Sequence, residues 1–590
     1  MSSLSYLNRY FYKYRLRLLL GIVFVVISNV FGVLPPKLIG ESIDMIAESL
    51  RELKAETNAS AYQLLMQEFS KKLLWFALSV LGFSLLKGVF MFFMRQTIIV
   101  MSRWIEYDLK NELFDKYQAL SLGYFKRNRT GDLMARISED VGKVRMYIGP
   151  AVMYGINMLV LFAVVITVMI QVNPRLTFYV LLPLPVLSVG IYYVNNLILT
   201  RSTAIQQQLG KLTTFAQEAF SGIRVIKSYG LEAAYRADFS KELTEFKNRS
   251  MSLVKVDALF YPITLLLIGL STILTIYIGG IEAAAGKISP GNIAEFVIYV
   301  NMLTWPVTSL GWVASIVQQA SASQTRINEV LQAPVDIDAE AGETHLVDGH
   351  LVFDQVSFYY PDSRMAALES VSFELKPGET LGIVGATGAG KTTLANLITR
   401  MYDPTEGQVL IDGKPLQTLS AGNYRSQLGY VPQDVFLFSD SIYQNIAFGS
   451  ADATREQIIA AAKRAALWPT IEAMPMGLET LLGERGVTLS GGQKQRLSIA
   501  RAIVKKPAFY VIDDCLSALD AHTEKEILSN IKSLTVNVSS IIISHRVSSV
   551  MEADHIIVLD HGRIVESGTH EHLIQNGGYY ASIYKKQLQE

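Results

Sequence analysis

The run Gly385-Ala-Thr-Gly-Ala-Gly-Lys391-Thr392-Thr393 could do chemistry. The apolar segment Leu381–Val384 precedes it and an apolar helical pattern follows, so the order is strand, glycine loop, helix. Gly385, Gly388 and Gly390 let backbone N–H groups approach phosphate oxygens, and the helix N-terminus adds positive potential. Lys391 would reach the β- and γ-phosphates of a nucleoside triphosphate, and Thr392 would offer its hydroxyl to Mg²⁺. A second apolar strand, Phe509–Ile512, ends in Asp513-Asp514. A carboxylate at such a strand end can hold the Mg²⁺ shell, which is assigned to Asp513; Asp514 is the candidate to orient or deprotonate an attacking water. A third strand, Ser540–Ile543, ends in Ser544-His545, and a histidine at this edge reads as functional. Leu489-Ser490-Gly491-Gly492-Gln493 precedes a helical pattern over Lys494–Val504, with Ser490 as N-cap. That is a second anion-binding helix end. Two such ends suit a nucleotide sandwiched between two copies of the domain.

Three strand ends with polar payloads suggest one parallel sheet with its ligand along one edge. That sheet accounts for only part of the chain. At roughly 100–200 residues per soluble domain, 590 residues allow three or four domains, fewer if part lies in a membrane. The chain is 50% hydrophobic and 18% charged, and its 53 basic and 53 acidic residues cancel. This composition excludes a disordered chain and a nucleic-acid binder by bulk charge. A single cysteine, Cys515, excludes an intrachain disulfide. The zero is a sum of unlike halves: residues 1–335 hold 32 basic and 22 acidic residues, and residues 336–590 hold 21 and 31. The break follows Pro334, in the acidic, small-residue stretch Val335–Ala341.

The basic half contains long charge-free windows, between Arg145 and Arg175, Arg175 and Arg201, Asp257 and Glu282, and Glu295 and Arg326. Each exceeds the ~20 residues a helix needs to cross a bilayer. With a shorter window after Arg17 and the apolar run Leu73–Val100, six spans are predicted, at about 18–40, 72–98, 146–172, 176–200, 258–281 and 290–320. Basic residues crowd the N-terminal tail and the loops 103–145 and 201–257, with nine in each loop. The positive-inside rule then places the N-terminus, both long loops and the second half in the cytoplasm. The first run lacks a small-residue cleavage site and is read as a retained span. Helical patterns over Trp104–Leu120 and Leu209–Ile226 predict helices extending beyond the membrane towards the second half.

The set Gly385–Thr393, Gln433, Leu489–Gln493, Asp513–Asp514, Ser517–Asp520 and His545 resembles an ATP-binding cassette (ABC) ATPase. Joined to six spans, it resembles an ABC exporter half-transporter. Ser121–Phe125 with Thr130–Leu133, and Glu218–Ile223, are similar to the first and second cytoplasmic loops of exporters, and Gly483–Gly486 to the cassette loop that touches them. The resemblance implies a fold: an all-α six-helix transmembrane domain (1–335) followed by an α/β P-loop cassette (336–590). It also implies ATP and Mg²⁺ as cofactors, a multi-pass protein of the cell inner (plasma) membrane, and no nucleic-acid partner. By the same resemblance Tyr360 stacks on adenine and Gln433 contacts Mg²⁺ and the attacking water. Ser490, Gly491, Gly492 and Gln493 meet the nucleotide of the other subunit, Asp520 lies at the dimer interface, and His545 contacts the γ-phosphate.

One residue departs from the pattern. Active exporter sites usually carry Glu after the Mg²⁺-linked Asp, whereas this chain has Asp514. Asp is one methylene shorter, so slow hydrolysis is expected at the site built on Lys391. Such an Asp is similar to degenerate-site subunits of heterodimeric exporters, which points to a heterodimer, with a homodimer tolerating Asp as the alternative. The expected function is ATP-driven export of amphipathic small molecules. The alternatives are a lipid or lipid-precursor flippase, and a mainly regulatory, weakly hydrolysing subunit. Lys87, inside the second span, is read as snorkelling, or as facing a cavity or an anionic lipid head. Asn58-Ala-Ser60 is an incidental sequon, and Cys515 a buried small residue.

Overall fold

The structure, a computed structural model, describes residues 3–56, 58–361, 365–483, 486, 489–516, 521–534 and 538–589. The chain divides into two compact units, one of Met1–Phe114 with Gly131–Gln332, the other of Asp115–Thr130 with Ala333–Glu590.

The first unit is helical. Among the described residues, six helices are long and apolar enough to cross a membrane: α1 (Arg15–Ala55), α2 (Ala59–Ala119), α3 (Thr130–Val172), α4 (Pro174–Ser221), α5 (Glu232–Ala284) and α6 (Pro290–Leu331). Each contains one predicted span and runs past it at one or both ends. Their boundaries follow local chemistry. Asn173 caps α4, its side chain accepting from Leu176 N–H at 2.9 Å with Pro174 in the first turn. Ser289 and Asn292 form a capping box at α6, again with a proline in the first turn. Pro150 sits in a π-helical turn of α3, Tyr147–Ala151, where its missing N–H is absorbed.

The helices pack through Val165, Met169, Leu176, Val180, Phe296 and Tyr299, all buried. Phe31 of α1 stacks on Phe83 and Phe90 of α2. Between α1 and α6 two glycines replace side chains, because a Cβ on Gly40 would lie 2.8 Å from the Gly291 carbonyl. That approach lets Asp44 accept the Gly291 N–H at 2.7 Å, at the positive end of α6. Asn29 inside the bundle is paired, as apolar surroundings favour, whereas the buried Ser271 hydroxyl and Gln324 Oε1 have no hydrogen-bond partner among the described residues. Asn29 donates to the Val25 carbonyl and to Asn157 Oδ1, both at 2.8 Å.

The second unit is a two-sheet α/β body. One sheet is antiparallel, in the order β2 (Ala366–Leu375), β1 (Leu351–Tyr359), β4 (Glu406–Ile411), β5 (Lys414–Pro415). The other runs β10 (Arg563–Gly568), β9 (His555–Asp560), β3 (Thr380–Gly385), β8 (Ser539–Ser544), β7 (Phe509–Asp513), β6 (Leu428–Val431). All its pairings are parallel except β9 with β10. Strands β7 and β8 are buried along their whole length, as a sheet covered on both faces requires. Four helices bear on the site: α7 (Lys391–Ile398), α8 (Gly491–Val504), α9 (Ala521–Leu534) and α10 (Tyr579–Gln589). The segment Asp115–Thr130 belongs to this body. Leu122 packs on its core, Gly123 abuts Tyr402, and Ser121 Oγ donates to Asp336 Oδ2 at 2.6 Å.

Candidate nucleotide site

The strand register sets out the site. Val384 pairs with Ser544, and Ile543 with Asp513, so β3, β8 and β7 end in one row. Gly385, Asp513–Asp514 and His545 therefore meet at one sheet edge, as the three apolar runs predicted. The loop from β3 into α7 turns through Gly388 and Gly390, with φ of +84° and +103°. Those angles favour glycine. Gly385 is fixed by packing instead: a Cβ there would lie 2.1 Å from the Leu559 carbonyl.

Lys391 is folded into this loop. Its Nζ donates to the carbonyls of Gly385 (2.8 Å) and Ala386 (2.9 Å). Burial lowers its pKa, and the nearby Asp514 and Asp513 carboxylates work against that shift. Asp513 is buried, and neither of its carboxylate oxygens has a hydrogen-bond partner among the described residues. Burial pushes this carboxyl up to about 6, aided by Asp514 and Asp434 and opposed by the Thr392 hydroxyl and Lys391. The Thr392 hydroxyl is close enough for that pull but lacks hydrogen-bond geometry to it. A buried, unpaired carboxylate is costly. Two orphaned hard oxygens beside a threonine hydroxyl fit a Mg²⁺ ion.

Around that pair runs a polar chain. Thr392 Oγ1 donates to Gln433 Oε1 at 3.4 Å, and Gln433 Nε2 donates to Asp514 Oδ2 at 3.3 Å. His545 Nδ1 lies 2.8 Å from Asp514 Oδ1 and 3.0 Å from Oδ2. Asp514 is the hub. Its φ is +44°, a left-handed conformation that Asp tolerates, and its N–H donates to the Ile543 carbonyl at 2.8 Å. The backbone is thereby tied to β8. The arrangement joins a phosphate cradle, a metal-type carboxylate and an acid–base pair.

Tyr360 follows β1. Its hydroxyl lies 3.0 Å from Thr393 Oγ1, and its ring packs edge-on against Phe358 and Tyr402. Lys126 Nζ stands 5.2 Å from the centre of the Tyr360 ring and 5.7 Å from that of Tyr402. These are cation–π distances. At α8 the hydrogen bonds of Ser490 and Gln493 close on each other: Ser490 N–H donates to Gln493 Oε1 at 2.9 Å, and Gln493 N–H to Ser490 Oγ at 3.4 Å. Gln493 is thus half of a capping box, and Gly491 and Gly492 form the first turn of α8. Asp520, with the rest of Ser517–Asp520, and Glu484-Arg485 lie outside the described residues. Cys515 is fully buried, and burial raises its thiol pKa far above the usual range.

Three residues that bear on the site escaped sequence reasoning: Lys126, Glu524 and Gln587. Lys126 directly follows Ser121–Phe125, the segment similar to the first cytoplasmic loop of exporters, which is the one signal that points to it. Nothing in the local pattern marks the other two.

Residues 18–307 match the family described as ABC transporter transmembrane region, and residues 368–517 the one described as ABC transporter. The chain is 34% identical to the probable multidrug resistance ABC transporter ATP-binding/permease protein YheI of Bacillus subtilis, covering 99% of this chain and 98% of the relative. It is 35% identical to the multidrug resistance-like ATP-binding protein MdlA of Escherichia coli, covering 100% and 97%. It is 32% identical to the ATP-dependent lipid A-core flippase of Thiobacillus denitrificans, covering 88% and 89%. Among solved structures, that of a bacterial Atm1-family ABC exporter with ATP bound matches with a TM-score of 0.77 at 26% identity, covering 97% of this chain and 98% of the other.

Proposed function

This chain belongs to the ABC transporter family, and from that premise we propose that it exports amphipathic small molecules across the cell inner membrane, at an ATP site weakened by Asp514. It is a multi-pass membrane protein, an exporter half that binds ATP, couples ATP hydrolysis to transport and works as a dimer of half-transporters. Multidrug resistance appears in the names of YheI and MdlA, which supports amphipathic cargo. The N-terminus and cassette are cytoplasmic by the distribution of basic loops.

The observation that carries the assignment at the site is the convergence of Lys391, Thr392, Gln433, Asp513, Asp514 and His545 at one sheet edge. Lys391 leaves its carbonyl partners for the β- and γ-phosphates, and Tyr360 stacks on adenine. Thr392, Asp513 and Gln433 are the residues that would hold Mg²⁺, which when bound offsets negative charge on the phosphates. Asp514 orients the attacking water and takes its proton. His545, linked through Nδ1 to Asp514, has Nε2 for the γ-phosphate. Ser490 to Gln493 and Asp520 serve the partner's nucleotide. The exposed tip of the second long loop, with Phe220, Val225 and Tyr229, supports a partner subunit that covers it.

The short Asp514 arm favours a heterodimer in which the partner carries the faster site, and this chain is then the weakly hydrolysing subunit. A homodimer is the alternative. The flippase relative supports a second reading, transport of a lipid or lipid precursor. ATPase stimulation in liposomes, measured with cationic drugs and with lipids, with and without a co-purified partner chain, tests these readings. Drug stimulation supports multidrug export, lipid stimulation alone supports the flippase, and stimulation by neither refutes both.

A further inference from the structure

The loop that carries His545 is held from two sides. Gln587, on α10, donates from Nε2 to the His545 carbonyl at 2.7 Å, and its Oε1 accepts from the Val547 N–H at 2.8 Å. One amide thus satisfies both polar groups that flank the turn after β8. On the other side Glu524, a buried residue of α9, accepts from Arg546 Nη1 at 3.1 Å and from the hydroxyls of Ser548 and Ser549. The backbone around His545 is therefore fixed, while its ring remains 43% exposed and touches Asp514.

Helix α10 does not depend on Gln587 for its place. Tyr580 is fully buried and packs with Val547, Val550 and Leu573, and Ile583 and Tyr584 adjoin the same cluster. Glu566 accepts the N–H groups of Tyr579 and Tyr580 at the start of the helix. The helix is anchored by its apolar face, and the Gln587 amide is free to serve the loop.

We propose that Gln587 is a positioning residue for His545, clamping the loop so that the imidazole keeps its place between Asp514 and the γ-phosphate of ATP. The clamp needs a donor and an acceptor on one short planar group, which an amide supplies and an aliphatic side chain does not. The proposal rests on the reading of His545 as the γ-phosphate contact.

The test uses the full-length chain in lipid nanodiscs, with single-turnover ATP hydrolysis and steady-state kcat and KM. Gln587→Leu replaces the amide by an apolar branch on a stem one carbon shorter and removes both bonds. It is expected to lower kcat on the order of 10-fold, short of the ~10²-fold that a full ~1 Å misplacement costs. KM for ATP and the thermal midpoint stay near wild type. In a His545→Ala background, Gln587→Leu is expected to add nothing, because the two act through one group. Unchanged kcat for Gln587→Leu, in a chain that His545→Ala slows, overturns the inference and leaves His545 standing. A further loss on top of His545→Ala also overturns it, since Gln587 then acts elsewhere. No effect of His545→Ala itself overturns the reading of His545 and the role of Gln587 with it.

Discussion

Asp514→Glu is the substitution on which the geometry of the site bears most directly. The Asp514 backbone cannot advance to make up for a short side chain, because its N–H is bound to the Ile543 carbonyl at 2.8 Å. The carboxylate meets His545 Nδ1, at 2.8 and 3.0 Å, the His545 N–H, at 3.5 Å, and Gln433 Nε2, at 3.3 Å. One added methylene extends the arm by about 1.5 Å, a single carbon–carbon bond. Directed at the imidazole, that extension would leave roughly 1.3 Å, half a hydrogen-bond distance, so the longer carboxylate must swing off the ring. The substitution thus trades a bond to His545 for reach towards the attacking water. A ~1 Å correction of a catalytic group is worth on the order of 10²-fold, or about 2.7 kcal/mol. The bond given up is a charge-assisted contact worth about 1.5–3 kcal/mol at most, and it is discounted here because the His545 side chain is 43% exposed. The expected outcome is a 10- to 10²-fold rise in single-turnover hydrolysis by the purified chain, with KM for ATP unchanged. Asp514→Asn, which keeps size and removes the base, should abolish turnover. A brisk wild-type rate that the glutamate does not improve would refute the argument that reach limits this site.

The remaining predictions concern the frame around it. Lys391→Ala should abolish fluorescent-nucleotide binding while the cassette stays folded, since among the described residues Lys391 bonds only to the two loop carbonyls of Gly385 and Ala386; retained binding counts against the loop as the phosphate cradle. Gly385→Ala forces a Cβ to 2.1 Å from the Leu559 carbonyl and should cost about 3 kcal/mol or more, read as a lowered thermal midpoint. Cys515 should resist maleimide in the folded chain and react once denatured, because it is fully buried; labelling of the native protein contradicts that placement. Asn29 and Asn157 should couple by only about 0.6 kcal/mol in a double-mutant cycle through Leu, the average for hydrogen bonds between membrane helices.

The sequence carried the site because its chemistry is local. A glycine loop followed by Lys391-Thr392, and acids directly after an apolar strand, keep their meaning wherever the sheet places them. The spans were legible for a similar reason: helices in lipid satisfy their backbone internally, so an uncharged window of sufficient length is itself the signal. Residues read from the family resemblance, such as Tyr360 and Gln433, needed the whole motif set to be noticed.

What the sequence by itself determined is therefore the inventory: a cradle, two adjacent acids, a histidine, a capped second helix end and six apolar helices. What only the tertiary structure decided is who touches whom. Gln493 turns back onto Ser490 as a capping box, Asp514 becomes the hub between Gln433 and His545, and Lys126 stands over Tyr360 from more than two hundred residues away in the chain. Gln587, near the end of the chain, holds the loop of His545 through two main-chain bonds. Such contacts leave no mark on periodicity or spacing, because a hydrogen bond to backbone needs only a donor and an acceptor brought close, and folding alone sets that distance.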